Sequence, residues 1–198
     1  MIAVDDSGSM NENGIHEVTC ESVCIVEDAL RRCDAGRVSV CSFGSDVNTI
    51  IPFGEATAAS SVEMLKKLTF NQTKTDLLCL LRTAKSQLDE IRTPTSEQML
   101  IIISDGRGTL SQGADKVRQL YASLQGVTVL FVILDSGKKS IEELSVASFK
   151  DGKVVLTPYL SLFPFPFYAI VKSIQQLPNI ISESIRQWFE MTISANSF

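Results

Sequence analysis

Three side chains with oxygen donors lie close together near the start of the chain. Asp5, Ser7 and Ser9 form an Asp-x-Ser-x-Ser pattern that follows directly on the apolar run 2–4. A carboxylate and two hydroxyls on one tight loop are hard ligands, which suit Mg²⁺ or Mn²⁺ better than a metal that selects thiolates. Because such a site contributes little negative charge, its metal stays electrophilic and can accept a carboxylate from another molecule. The pattern therefore indicates metal-dependent adhesion rather than catalysis.

Two later segments offer further donors. Asp105 follows the continuously apolar run 98–104, in the sequence Ser-Asp-Gly-Arg-Gly, and the polar segment 71–76 contains Thr73 and Thr75. In open α/β sheets, ligands bind beyond the carboxyl ends of the strands, where the strand order reverses. If the strands that precede Asp5 and Asp105 are neighbours at this point, the two loops meet. A threonine hydroxyl from 71–76 would then complete a ring of oxygens, and the residues alone leave Thr73 and Thr75 open.

Strand-like and helix-like segments alternate along the chain. This alternation favours a doubly wound α/β fold with a mainly parallel sheet and helices on both faces. Beyond the short apolar run before Asp5, strands are predicted at 37–43, 47–53, 98–104, 127–134 and 153–157. Helices are predicted at 15–33, 77–91, 114–124 and 177–192, the second of them capped by Thr75-Asp76. The length of 198 residues fits a single domain spanning 1–198.

The composition argues against several classes of function. A net charge of −5 disfavours direct nucleic-acid binding, which needs clustered Lys and Arg. The chain has no run of 18 apolar residues and no signal-peptide pattern, so we expect no membrane span. Its five cysteines lack the paired spacing of zinc sites, and we expect buried free thiols. Because only four residues precede Asp5, we expect a fragment of a longer protein.

Several residues near the pattern allow two interpretations. Asp6 is either a second carboxylate near the metal or a cap on the following helix, and we favour a structural role. Arg107 either contacts an acidic partner at the rim of the site or forms a salt bridge within the domain. Lys74 and Asp76 flank the threonine segment and could contact a partner. The aromatic run 163–168 is expected to pack on the sheet edge, in one cluster with Trp188 and Phe189.

Other metal-dependent activities fit the pattern poorly. A haloacid dehalogenase-type hydrolase needs a second carboxylate two residues after its aspartate, where this chain has Ser7. An EF-hand loop starting at Asp5 needs Gly at its sixth position and Glu at its twelfth, but the chain has Met10 and His16. His16 is the only histidine, and nothing in the sequence positions it as the base of a Ser-His-Asp triad.

Together, the Asp-x-Ser-x-Ser loop, the threonine segment and the Asp-Gly after an apolar strand resemble the von Willebrand factor A domain and its metal-ion-dependent adhesion site. The resemblance covers nearly the whole chain and implies a Rossmann-like fold. In that family the serines and the threonine contact the metal, the aspartates act directly or through water, and an acidic residue of the partner fills the open position. Carried over, it implies Mg²⁺ or Mn²⁺ bound by Asp5, Ser7, Ser9, Thr75 and Asp105. Thr75 is preferred to Thr73 because the apolar spacing after it resembles the start of the family's helix. Partner contacts are expected from Gly8, Lys74, Asp76 and Arg107.

A narrower resemblance is to the midasin family of giant AAA ATPases, which remodel precursors of the large ribosomal subunit and end in such a domain. It rests on residues 5–7, 41–44, 104–108, 163–168, 177–178 and 184–190. It implies docking, through Mg²⁺ and a partner carboxylate, onto ubiquitin-like domains of ribosome assembly factors on the pre-60S particle in the nucleus (nucleolus and nucleoplasm). A distant ATPase ring would pull on what is gripped, and the domain could also dock on that ring. No GxxxxGKS/T phosphate loop occurs here, so we expect no ATPase activity from these residues alone. An integrin-like extracellular adhesion module of the same fold is the alternative.

Overall fold

A six-stranded sheet forms the centre of the described part of the chain, in the order β3-β2-β1-β4-β5-β8. The computed structural model describes residues 1–32, 36–54, 66–135 and 139–195. The strands of the sheet are β1 (Ile2–Asp5), β2 (Val40–Phe43), β3 (Val47–Ile51), β4 (Gln98–Ser104), β5 (Val127–Leu134) and β8 (Tyr168–Val171). Two further strands, β6 (Ser145–Lys150) and β7 (Lys153–Pro158), form a separate antiparallel hairpin.

The sheet is parallel except at one edge. β1 pairs in parallel with β2 on one side and with β4 on the other, and β4, β5 and β8 continue in parallel. Only β3, which turns back from β2, runs antiparallel. The strand order therefore reverses between β1 and β4, which is where such folds place their ligand sites.

Helices cover both faces of the sheet, because the central strands are apolar on both sides. One face packs against α1 (Ile15–Arg32) and α4 (Leu177–Ala195), and the other against α2 (Leu77–Ile91) and α3 (Ala114–Ala122). Within β4, Leu100 and Ile102 lie in the α2–α3 cluster, whereas Ile101 and Ile103 lie in the α1–α4 cluster. A strand buried on both faces reads as a continuous apolar run, which explains the pattern at 98–104. The predicted doubly wound, mainly parallel fold is confirmed.

The predicted elements agree best with the structure where patterns are long. The strands at 98–104 and 127–134 and the helix at 77–91 have the predicted bounds. Residue 33, at the end of the predicted first helix, lies outside the described residues. Two details of the sheet were wrong. The strand predicted at 153–157 belongs to the β6–β7 hairpin instead of the central sheet, and β6 and β8 were not predicted, since each is short and gains its partner only through the tertiary fold.

The aromatic residues form two groups rather than one. Phe163 and Phe165 are buried against Phe131 of β5, with ring centroids 5.0 and 5.1 Å away, so this run packs on the sheet as expected. Trp188 does not join them. Its ring lies 4.8 Å from that of Phe189 in a tilted arrangement, and its Nε1 donates to Thr128 Oγ1 at 3.0 Å, because α4 lies on the opposite face.

The described cysteines are free thiols, and none of the described helices could cross a membrane. Cys20 and Cys41 are buried, whereas Cys24 and Cys79 are partly exposed. Burial raises the pKa of Cys41 to about 12 and that of Cys20 to about 11. Both thiols therefore stay neutral at physiological pH. No helix in the described ranges combines the length and apolar character that a bilayer requires.

Candidate metal centre

The loop after β1 brings the first three predicted ligands together. Asp5 is the last residue of β1, and its Oδ1 accepts the Ser7 amide at 2.9 Å. This bond curls the backbone so that Ser7 Oγ and Ser9 Oγ lie 3.1 Å apart. Asp5 and Ser7 are buried, whereas Ser9 is exposed at the surface. The loop thus presents two neighbouring hydroxyls above a buried carboxylate.

The end of β4 contributes the second carboxylate. Parallel pairing of β1 with β4 aligns Val4 with Ile103, so the residues that follow these two lie side by side. Ser104 Oγ donates to Asp5 Oδ2 at 2.6 Å and accepts the Gly106 amide at 3.1 Å. Asp105, also buried, accepts the Arg107 amide at 2.9 Å. Sequence reasoning did not assign Ser104 a role, although its place beside Asp105 at the end of an apolar strand was the available signal.

Burial is the main influence on the pKa of Asp5. It raises the pKa of Asp5 from 3.8 to about 6. Hydrogen bonds from Ser104 and Ser7 oppose that rise, and the charge of Asp105 adds to it. Among the described residues, neither carboxylate forms an ion pair with Lys or Arg. Ionised Asp5, buried and without a cationic side chain beside it, is costly to the fold unless a cation binds there.

Asp6 joins the threonine segment to the β1 loop. Its carboxylate accepts the amides of Thr69 at 2.7 Å and Phe70, the Thr69 hydroxyl at 3.2 Å, and Gln72 Nε2 at 3.0 Å. Its backbone carbonyl also accepts the Gln72 amide at 3.0 Å. Asp6 is therefore structural, as favoured from the sequence, but it fastens a distant loop instead of capping the next helix.

Gln72 extends this connection to a third loop. Its Oε1 accepts the amides of Ser45 at 2.7 Å and Asp46 at 3.2 Å, in the turn between β2 and β3. A Cβ at Gly44 would lie 2.5 Å from this amide oxygen, so glycine leaves the space that the Gln72 side chain fills. Three loops at the carboxyl edge of the sheet are thus fixed to one another, which sequence reasoning did not detect.

Thr73 and Thr75 both line the open cleft above the serine hydroxyls. Thr75 is half-buried and packs against Gly108, where an added Cβ would lie 3.0 Å from Thr75 Oγ1. Thr73 is exposed. Of the two threonines, Thr75 is therefore the one that contacts the turn after Asp105, and it is also the one preferred from the resemblance.

The residues expected to contact a partner occupy different environments. Gly8 and Lys74 are exposed on the wall of the cleft. Asp76 is the N-cap of α2, as predicted for Thr75-Asp76, and accepts the Cys79 amide at 2.7 Å. Arg107 also lines the cleft, but its guanidinium lies 3.4 Å from Asp135 and donates to the Lys139 carbonyl at 2.6 Å.

The loop that contains Arg107 is supported from below by a residue that the sequence did not single out. Tyr159 is buried, and its hydroxyl lies 2.7 Å from the Gly106 carbonyl and 3.1 Å from that of Arg107. Gly106 has a φ of +72°, which glycine adopts without strain.

The donor set fits a hard divalent cation. It consists of hydroxyl and carboxylate oxygens, which Mg²⁺ and Mn²⁺ prefer. In the described ranges, no group of three or more His, Cys, Asp and Glu side chains is arranged to hold a metal. A site here therefore depends on the serine and threonine hydroxyls and carries only two negative charges. This is the chemistry that leaves room for an external carboxylate.

Relatives of this chain include two midasins. The midasin of Dictyostelium discoideum is 29% identical over 201 residues, a match that covers 98% of this chain and 3% of that protein. The midasin of Giardia intestinalis is 30% identical over 201 residues, covering 96% of this chain and 4% of that protein. The chain thus spans only 3–4% of the length of these curated relatives.

Similar solved structures share the fold at low sequence identity. The pilus adhesin SpaC of Lactobacillus rhamnosus GG has a TM-score of 0.65 at 14% identity, covering 94% of this chain and 29% of that one. BatB of Bacteroides thetaiotaomicron has a TM-score of 0.64 at 18% identity, covering 96% and 97%. Proximal thread matrix protein 1 from the mussel byssus, with a zinc-occupied MIDAS motif, has a TM-score of 0.62 at 16% identity, covering 91% and 46%.

The family model for the von Willebrand factor type A domain matches residues 1–107. This range contains β1, the threonine segment, β4 and all five predicted ligands. Since the match covers more than half of the 198 residues, the chain belongs to the von Willebrand factor type A domain family.

Proposed function

We propose that this chain is a metal-dependent protein-docking module. Asp5, Ser7, Ser9, Thr75 and Asp105 would hold Mg²⁺, with Mn²⁺ as the alternative, and a carboxylate of the partner would complete the coordination. The observation that carries the proposal is the pair of buried carboxylates, free of ion pairs among the described residues, beneath two hydroxyls 3.1 Å apart. When bound, the cation would supply a Lewis-acidic position open to an acidic side chain.

The chain's own residues prepare this site. The Ser104 hydroxyl and the Ser7 amide each donate to one oxygen of Asp5 and so orient its carboxylate. Asp6 and Gln72 hold the threonine segment at a fixed distance from the β1 loop. Because ligand positions are set before the cation arrives, binding costs little loop ordering. Because only two carboxylates contribute charge, we expect the isolated domain to bind Mg²⁺ weakly and to bind it tightly only with a partner.

The similarity to midasins supports a more specific proposal. The partner would be a ubiquitin-like domain of a pre-60S ribosome assembly factor, met in the nucleus. Residues 1–198 would be one domain of a larger protein whose ATPase ring remodels the particle. Docking back on that ring would be a second use of the same surface.

Partner contacts beside the cation are proposed for Lys74 and Gly8 above all. Both are exposed at the cleft, and Lys74 places a positive charge where an acidic partner would approach. Asp76 and Arg107 would contribute less directly, because the first caps α2 and the second is paired with Asp135.

Calorimetric titration with a ubiquitin-like domain from a ribosome assembly factor tests the proposal. We expect binding in Mg²⁺ that disappears in EDTA and in Asp105→Asn. Asp115→Asn is the matched control, because Asp115 is 91% exposed on α3 and does not line the cleft. Binding that persists in EDTA, or submicromolar affinity for Mg²⁺ without the partner, would contradict the proposed mechanism.

A further inference from the structure

The β6–β7 hairpin presents an apolar surface that the described residues do not cover. In its register Phe149 lies opposite Val154, and Ala147 lies opposite Leu156. Directly opposed residues and their second neighbours share one side of a two-stranded sheet. These four residues, hereafter the hairpin face, therefore form one patch. The exposed fractions are 80% for Phe149, 59% for Val154 and 68% for Leu156.

The opposite side of the hairpin attaches it to the domain. Leu144, just before β6, and Val146 pack against the core cluster on the α2–α3 face. The Tyr159 amide donates to the Leu144 carbonyl at 2.9 Å and closes the base of the hairpin. Two strands alone are marginally stable in water. The hairpin is therefore held by its inner side, while its apolar hairpin face is directed away from the core.

The base of the hairpin adjoins the candidate metal centre. Tyr159 follows β7 directly, and its hydroxyl bonds the Gly106 and Arg107 carbonyls, in the turn that follows Asp105. A strand of six residues spans about 20 Å. The base of the hairpin therefore lies beside the turn that follows Asp105, and the hairpin face begins two residues along each strand from that base.

A specific protein interface is large enough to include both the candidate metal centre and the hairpin face. Such an interface buries about 800 Å² on each partner, equivalent to a disc of about 16 Å radius. A single carboxylate on a cation occupies a small part of that disc, and the cleft around it is lined mainly by polar side chains. Most of the binding energy of an interface comes from buried apolar and aromatic anchors. The hairpin face offers such anchors within reach of a domain that is centred on the cation.

We infer that the hairpin face is the apolar part of the docking surface for the partner that supplies the carboxylate. This inference rests on the proposed function and deepens it. It describes the partner by its chemistry: a folded domain with an exposed acidic residue and, beside it, an apolar patch. The cation then fixes the position of the partner, and the hairpin face adds affinity that does not depend on charge.

Titration of the 198-residue chain with the same ubiquitin-like domain, in Mg²⁺, tests this inference. Phe149→Thr and Leu156→Thr keep a residue suited to a strand while removing the apolar contact. We expect each to weaken binding about 10-fold or more, with sensitivity to EDTA retained. The heat-capacity change on binding should become less negative, because less apolar surface is buried. Met191→Thr is the control, since Met191 on α4 is equally exposed at 68%, and its affinity should stay within about twofold.

Each other outcome has a definite meaning. Unchanged affinity in both hairpin variants, with EDTA-sensitive binding by the wild type, overturns the inference and leaves the proposed function intact. Absence of binding by the wild type overturns both. Sedimentation could also show that the wild type is a dimer and that Leu156→Thr is a monomer. That result would assign the hairpin face to a second copy of the chain and overturn the inference. Should a variant lose its cooperative unfolding, the nearly isosteric Val154→Thr replaces it, with a smaller loss of affinity expected.

Discussion

Replacing Asp5 with Asn should stabilise the metal-free chain at neutral pH while it removes the response to Mg²⁺. The folded-state pKa of Asp5, about 6, is above its unfolded value of 3.8, because the carboxyl is buried. The folded chain therefore holds this proton more tightly than the unfolded chain. The favourable contribution is fully present below about pH 4 and is lost as the pH rises through about 6.

The size of the effect follows from the same shift. Ionised Asp5 costs the fold about 3 kcal/mol at pH 7, since each pKa unit corresponds to about 1.4 kcal/mol. Asn keeps the acceptor for the Ser7 amide but no longer accepts from Ser104, which costs about 1 kcal/mol. Asp5→Asn should therefore gain about 2 kcal/mol at pH 7, and this gain should disappear near pH 4. The functional charge of Asp5 would then lower the stability of the metal-free fold.

Urea unfolding at pH 7 and pH 4, each with EDTA or with millimolar Mg²⁺, measures these terms. Mg²⁺ should raise the midpoint for the wild type and leave Asp5→Asn unchanged, because a ligand stabilises only the state that binds it. Asp115→Asn serves again as the exposed control. A lower midpoint for Asp5→Asn than for the wild type at pH 7 in EDTA, or equal effects of Mg²⁺ on both, would refute the reasoning.

Three further experiments probe the loops around the site. Asp6→Asn should lower the free energy of unfolding by about 1–3 kcal/mol, because the new amide group would face the Gln72 Nε2 donor. The Gln72 amide cannot flip to avoid this, since its Oε1 accepts two backbone amides. Denaturant titration measures the change, and a value below about 0.5 kcal/mol would count against the role of Asp6. Thr75→Ala should weaken Mg²⁺-linked binding in calorimetry more than Thr73→Ala, and the reverse order would move the ligand to Thr73. Gly108→Ala should reduce Mg²⁺-linked binding, since the added methyl would lie 2.9 Å from Thr75 Cβ, and an unchanged affinity would show that this loop yields without moving the threonine.

The parts of the fold that could be predicted from the sequence are those set by short-range patterns. β4 and β5 are continuous apolar runs because both faces of each are buried, and α2 begins where Asp76 can cap it. The loop after β1 could be interpreted only together with the threonine segment and the Asp-Gly after β4, since the Asp-x-Ser-x-Ser string alone often occurs by chance. The approach of Asp105 to Asp5 followed from the strand order alone.

The contacts that complete the site could not be predicted, because each joins residues far apart in sequence. Asp6 was ambiguous, since the partners of its carboxylate begin 63 residues later, and two of its four hydrogen bonds come from backbone amides, which carry no residue-specific signal. The role of Tyr159 depends on the hairpin that precedes it, and β6 and β7 are short strands with an exposed apolar side. The three consecutive apolar residues 154–156 of β7 are typical of a buried strand, whereas the structure leaves Val154 and Leu156 uncovered by described residues.

The placement of β1 has a mechanical consequence. Asp5 ends a strand that is hydrogen-bonded to parallel neighbours on both sides, β2 and β4. A pull between the loop of Asp5 and the opposite edge of the sheet acts along this strand, so its bonds are loaded together in shear. A hairpin pulled apart at its two ends, by contrast, opens one bond at a time. Asp5, which we propose to hold the cation that binds the partner, is thus anchored in a strand suited to transmit tension.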